Sequence, residues 1–173
     1  MKNIILILLF VSSLMGSALE SVPYVDVQKF SGLWYEIART YNSYQDKCVA
    51  SSVEYILDEN NRYEVKNRCF DTKIGGELIA YEGTAKSALG GANMSKIDMT
   101  YFWIFTKRYE IFYLEDDYSS AVVADNALEQ LWIMSRTPKM QEQTLKKILA
   151  LLENKMDVKR LIYTPQDTKG RYK

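Results

Sequence analysis

The 173-residue sequence contains no histidine. The commonest general acid–base side chain and the commonest neutral metal ligand are thus both missing, and neither a metal centre nor a cofactor is expected. Cysteine is nearly as scarce, with Cys48 and Cys69 the only two. Neither sign of charge prevails, since 22 basic residues face 22 acidic ones; there is no electrostatic footprint for nucleic acid or anionic lipid. No apolar run reaches the roughly 20 residues needed to span a bilayer, and no internal repeat or low-complexity stretch is present.

The strongest apolar run covers residues 4–11, with Lys2 ahead of it and Ser12, Ser13, Gly16, Ser17 and Ala18 behind. A charged start, a short apolar stretch and a small-residue exit read as an export signal, with cleavage after Ala18. Residues 14–22 include no cysteine, so no lipid anchor is expected, and the mature protein is expected to be soluble, in a periplasm or outside the cell. The segments are then a signal peptide over 1–18, one domain over 19–165, and a polar C-terminal tail over 166–173. Roughly 155 residues remain, enough for one core.

That remainder is made of short runs rich in Tyr, Val, Ile and Thr, alternating with polar residues and separated by turn signals, an all-β pattern. Strands are predicted at 33–40, 49–57, 62–70, 78–86, 96–105, 109–115, 120–125 and 130–136. The clearest alternation is in the third, where Tyr63, Val65, Asn67 and Cys69 interleave with Arg62, Glu64, Lys66 and Arg68, so that the charged set faces water. Residues 58–61 (Asp-Glu-Asn-Asn), Gly75-Gly76, Gly90-Gly91 and Asp116-Asp117 mark turns. Over 141–154 the period changes, and Leu145, Ile148, Leu149 and Leu152 share one face opposite Lys146, Lys147 and Glu153, an amphipathic helix. Leu161, Ile162 and Tyr163 can add a short last strand. An eight-strand antiparallel meander has two exposed edges unless it closes, and closure leaves room for one small ligand. One helix cannot cover so large a sheet, so the expected fold is an eight-stranded up-and-down β-barrel with one C-terminal helix packed outside, with a sandwich as the alternative.

Residues 32–39, Gly-Leu-Trp-Tyr-Glu-Ile-Ala-Arg, resemble the G-x-W motif that opens the first strand of lipocalins, in the form of bacterial lipocalins and apolipoprotein D. About a hundred residues later, the run 132–138 (Trp-Ile-Met-Ser-Arg-Thr-Pro) is similar to the last-strand motif of that family, whose arginine lies against the tryptophan. The resemblance runs on through the helix, and it implies that Gly32, Trp34 and Arg136 form the closed end of the barrel. A guanidinium over an indole combines cation–π attraction with hydrogen bonds to nearby carbonyls. The family's middle motif is only approximated, by Glu115-Asp116-Asp117-Tyr118.

With Trp34 inward, alternation puts Val53, Tyr55, Val65, Tyr81, Met99, Tyr101 and Trp132 on the inner face. In the sixth strand, Tyr109, Ile111 and Tyr113 compete with Phe112 and Leu114, and periodicity leaves both sets open; the resemblance favours Tyr109 and Tyr113. Such a lining suits a long apolar chain, with phenol hydroxyls available to a polar head.

Two cysteines in an exported protein form one disulfide by default. However, pairing Leu57 with Tyr63 puts Cys48 opposite Thr72 on the outer face while Cys69 points inward; a bulge or frayed end near Cys48 removes the conflict. Asn93-Met94-Ser95 fits the glycosylation pattern, and Glu115, Asp116 and Asp117 read as a solvated turn. The resemblance implies a non-enzymatic carrier of a small hydrophobic ligand, a fatty acid or lysophospholipid, for transport, storage or membrane maintenance. Peripheral membrane contact and either a monomer or a dimer are compatible with it. The alternatives are a thiol-dependent isomerase using Cys48 and a filled barrel that binds a protein partner.

Overall fold

The computed structural model describes residues 19–102 and 104–168. The expected export segment over 1–18 and the end of the expected tail lie outside them. Among the described residues eight strands succeed one another: β1 (Gly32–Arg39), β2 (Cys48–Leu57), β3 (Arg62–Asp71), β4 (Leu78–Ser87), β5 (Lys96–Tyr101), β6 (Phe105–Leu114), β7 (Ser120–Ala124) and β8 (Leu131–Ser135). Each pairs antiparallel with the next, and β1 pairs with both β2 and β8. The meander thus closes into the expected barrel, leaving no open ladder of backbone donors and acceptors between its first and last strands.

One feature divides the barrel into a filled half and a hollow half. A short helix α1 (Val27–Phe30), not anticipated from the sequence, crosses one end. Asp26 caps it, its Oδ1 accepting from the backbone N–H groups of Gln28 and Lys29 at 2.9 Å each. Phe30 is fully buried and meets Trp34 and Tyr55 at ring separations of 4.9 and 5.5 Å. On the outside, helix α2 (Glu142–Glu153) lays Ile148 and Leu152 against Phe112, Val122 and Ile133, the face predicted from its period.

Three register shifts interrupt the alternation. In β2 the partners change from Val49↔Phe70 to Ser52↔Arg68, one extra residue centred on Ala50, whose φ is +51°. The bulge moves Cys48 opposite Asp71 and resolves the conflict between its predicted face and that of Cys69. The Ala50 N–H donates to Pro165 O at 2.7 Å. Here β9 (Ile162–Tyr163) pairs with the far end of β1, and Gln166 Nε2 donates to Glu36 O at 2.6 Å and to Ser51 O at 2.8 Å. The chain therefore stays docked past residue 165, where the polar tail was expected to begin.

The second shift lies in β6 between Ile111 and Tyr113, the third in β1 between Glu36 and Ala38. One strand boundary also differs from expectation. β5 stops at Tyr101, and β6 begins at Phe105, paired with it, whereas the sequence pattern extended the fifth strand to residue 105 and started the sixth at 109. The turn was illegible because residues 101–105 are all strand-forming types (Tyr-Phe-Trp-Ile-Phe) with no Gly, Pro or Asn to mark it.

Candidate functional site

The closed end is built around Trp34, which is completely buried. Arg136 Cζ lies 3.8 Å from its ring centroid. The guanidinium donates to Leu33 O at 2.9 Å, Lys29 O at 2.8 Å and Tyr118 O at 3.3 Å, tying strand, helix α1 and the β6–β7 turn together. Gly32 adopts φ +91°, so backbone shape calls for glycine, while a Cβ there would stand 3.4 Å from Arg136 Nη1, an ordinary contact. The partial middle motif still contributes: the Tyr118 hydroxyl accepts from Asp26 N–H at 3.0 Å. Asn93 belongs to this frame too. Its Oδ1 accepts from Val25 N–H and Ser95 N–H at 3.0 Å each, while its Nδ2 donates to Pro23 O at 3.1 Å, so the nitrogen that a glycan would require is holding the N-terminal segment.

Above this plug the barrel is hollow. A cavity of about 450 Å³ opens at the opposite end, within the range typical of small-molecule sites. Val53, Tyr55, Tyr81, Met99, Tyr101, Tyr109 and Trp132 all line it, Tyr109 on the face that the resemblance favoured and the others on the face that alternation assigned. Tyr113 does not. The bulge after Ile111 turns it outward into the layer beneath α2, where its hydroxyl bonds Glu115 and Lys147 Nζ stands 5.1 Å from its ring; the expectation for that residue is corrected. Val65 is buried in the filled half, in the same cluster as Trp34 and Phe30.

Two of the phenols that line the cavity, Tyr101 and Tyr109, are already engaged. Tyr101 accepts from Asn67 Nδ2 at 2.8 Å, with Met99 Sδ 2.9 Å from its hydroxyl, and Tyr109 donates to Gln130 Oε1 at 2.8 Å. Burial pushes the Tyr101 hydroxyl up to about 12 and those of Tyr55 and Tyr109 higher still, so all three are neutral donors at ordinary pH. At the mouth Lys107 Nζ bonds Asp125 Oδ2 at 2.8 Å and sits 5.5 Å from the Tyr109 ring centroid.

Sequence reasoning missed the β1–β2 loop. Gln45, in a short 3₁₀ turn (Ser43–Gln45), reaches inward so that its Oε1 accepts from Trp132 Nε1 at 2.9 Å and its Nε2 donates to Glu36 Oε2 at 2.7 Å. Arg39 Nη2 holds the loop backbone at Gln45 O, 2.7 Å away. Burial raises the Glu36 pKa, against the hydrogen bonds from Thr164 and Gln45 and the nearby Arg39. Glu36 shares the parity of Trp34, which made it legible as inward-facing. Gln45 carries no period and no motif, and left no such signal.

Cys48 and Cys69 are joined by a disulfide, Cα–Cα 5.4 Å, on the cavity wall. No free cysteine thiol exists, so the thiol-dependent isomerase loses its nucleophile. Among the described residues no group of His, Cys, Asp or Glu side chains is placed to hold a metal ion, and no helix is long and apolar enough to cross a membrane. Glu115 meets Lys147 at 3.4 Å, and Asp117 accepts from Ser119 N–H at 2.9 Å, as befits a surface turn.

A closed barrel plugged by an arginine–tryptophan pair and open over an aromatic cavity is a small-molecule-binding barrel. The chain belongs to the lipocalin family: residues 25–166 match the model of the lipocalin-like domain, and members of this family generally bind small hydrophobic ligands. The outer membrane lipoprotein Blc of Vibrio cholerae is 29% identical over 154 residues, covering 88% of this chain and 89% of that protein. Bovine apolipoprotein D is 25% identical over 151 residues, covering 82% and 77%. Among solved structures, lobster apocrustacyanin A1 superposes with a TM-score of 0.64 at 25% identity, covering 84% of this chain and 82% of that one.

Proposed function

We propose that this protein is an exported, non-enzymatic carrier that holds a single-chain lipid, a fatty acid or lysophospholipid, for transport, storage or membrane maintenance. The observation that carries the reading is the cavity of about 450 Å³ walled by Met99, Tyr101, Tyr109 and Trp132 above a solid plug. Burying about eight methylenes at roughly 0.8 kcal/mol each contributes about 6 kcal/mol, which leaves micromolar affinity after ordering costs. The hydroxyls of Tyr101 and Tyr109 are bonded within the wall, so the polar head falls at the mouth, where Lys107 stands 45% exposed. Side chains that leave a cavity of this size favour a carrier over a filled barrel. The test is native mass spectrometry of protein purified from its source, together with titration by a fluorescent fatty acid. A co-purifying lipid and saturable one-to-one binding are expected; a bare protein with no saturable binding refutes the carrier.

A further inference from the structure

We infer that the β5–β6 hairpin tip is a membrane-contact element, and that the cavity exchanges its ligand with a lipid bilayer through it. The inference rests on the carrier reading above for what passes through the mouth, and on the tip's own surface for the contact.

Phe102, Ile104 and Phe105 are 66%, 74% and 66% exposed, three large apolar side chains on one turn. The eight residues 99–106 (Met-Thr-Tyr-Phe-Trp-Ile-Phe-Thr) form a charge-free run between Asp98 and Lys107. Aromatic and aliphatic groups interspersed with hydroxyls match the composition that settles at a membrane interface. Phe102 holds φ +51° at the turn, a conformation uncommon for a bulky residue. The last β4–β5 pair among the described residues is Gly83↔Tyr101, and inward-facing Tyr81, two residues nearer the mouth on β4, is 38% exposed.

Two observations choose a bilayer over a protein partner. Three side chains at these exposures offer roughly 400 Å², about half of what each partner in a stable protein interface contributes. Phe102 and Phe105 also line the cavity, so whatever covers the tip covers the ligand's route; a bilayer can receive the tip and supply an apolar chain at the same place, without carrying the cargo across water.

Flotation with phosphatidylcholine vesicles tests the inference, using the purified protein, Ile104→Glu, and Leu89→Glu. Ile104 does not line the cavity, and Leu89, 56% exposed, lies in the β4–β5 loop near the plug. The wild type and Leu89→Glu are expected to float equally, and Ile104→Glu to bind vesicles roughly tenfold more weakly, with slower ligand transfer from vesicles and unchanged affinity for a dissolved fluorescent fatty acid. Adding phosphatidylglycerol is expected to change little. Equal flotation of both variants, no flotation of the wild type, a strict need for phosphatidylglycerol, or a dimer in sedimentation that Ile104→Glu dissolves each overturn the membrane-contact role. Fatty-acid binding without flotation removes this inference and leaves the carrier; flotation without fatty-acid binding leaves the membrane contact and removes both the carrier and the ligand exchange.

Discussion

Arg136 stacks 3.8 Å over the ring of Trp34 while its three nitrogens reach carbonyls on three separate segments. This one residue pair joins the first strand, the last strand, helix α1 and the β6–β7 turn, and so determines which end of the barrel is solid. Replacing Arg136 with Met keeps the bulk and removes the cation–π contact and the hydrogen bonds. The expected loss is about 3 kcal/mol, or a fall of about 10 °C in Tm for a domain of this size. Urea unfolding checks it, and fatty-acid affinity is expected to stay within about twofold because the site lies at the other end.

The Cys48–Cys69 bridge closes a loop with a sequence separation of 21. On chain-entropy grounds its removal costs about 3 kcal/mol. The Cys48→Ala/Cys69→Ala protein is expected to unfold at correspondingly lower urea. Without reductant, the native protein should take up no alkylating reagent; mass spectrometry that found a modified Cys48 would restore the thiol chemistry excluded above.

Met99 and Tyr113 separate the two faces of the barrel wall. Met99→Arg places a long charged side chain in the cavity, and at least a tenfold loss of fluorescent fatty-acid affinity is expected. Tyr113→Phe removes only the hydroxyl's bonds to Glu115 and Lys147 on the helix side and is expected to leave affinity unchanged, at a cost of about 1 kcal/mol in stability. Equal loss from both would contradict the inward and outward assignments.

The proposed carrier role assigns the ligand's head group to Lys107 at the mouth. Because it is 45% exposed and already paired with Asp125, Lys107→Met is expected to weaken fatty-acid binding by only about fivefold, while a fatty alcohol of the same length binds equally to both proteins. Competition titrations with the two ligands distinguish this from a change in cavity shape, which would weaken both.

Stability is expected to hold level to about pH 10 and to fall beyond it. Burial pushes the Tyr101 hydroxyl up to about 12 and raises Tyr55, Tyr63 and Tyr109 further. In the unfolded chain these phenols release protons near pH 10 while the folded protein retains them, so their contribution is complete below the unfolded value and is lost as pH rises. Arg136, lowered by burial to about 10, acts in the opposite direction and offsets one of the four. The net effect is a stability that falls as pH rises above 10, measurable as urea midpoints across that range.

The period-2 pattern was readable wherever the ladder was regular. Tyr63, Val65 and Asn67 alternate over an uninterrupted β3–β4 register, and each lies on the predicted face. Tyr113 was misread because the extra residue at Phe112 shifts the register and reverses the faces beyond it. The Cys48 conflict had the same origin at Ala50, where the bulge solved the problem that strict alternation created. Such bulges carry no residue signature in this chain, since Ala50 and Phe112 are ordinary strand residues.

By itself the sequence determined the strand count, the single outer helix and most of the inner wall, because alternation, helical period and turn residues act over a few neighbours at a time, while the arginine–tryptophan plug followed from the resemblance of its two motifs to those of lipocalins. Only the tertiary structure decided the rest: that α1 and Phe30 fill one half of the barrel, that Gln45 folds back from its loop to hold Trp132 and Glu36, and that a cavity remains above them. Those outcomes depend on groups distant in sequence meeting in a closed barrel, where each backbone group must find a partner and each side chain a volume, and no local pattern records such encounters.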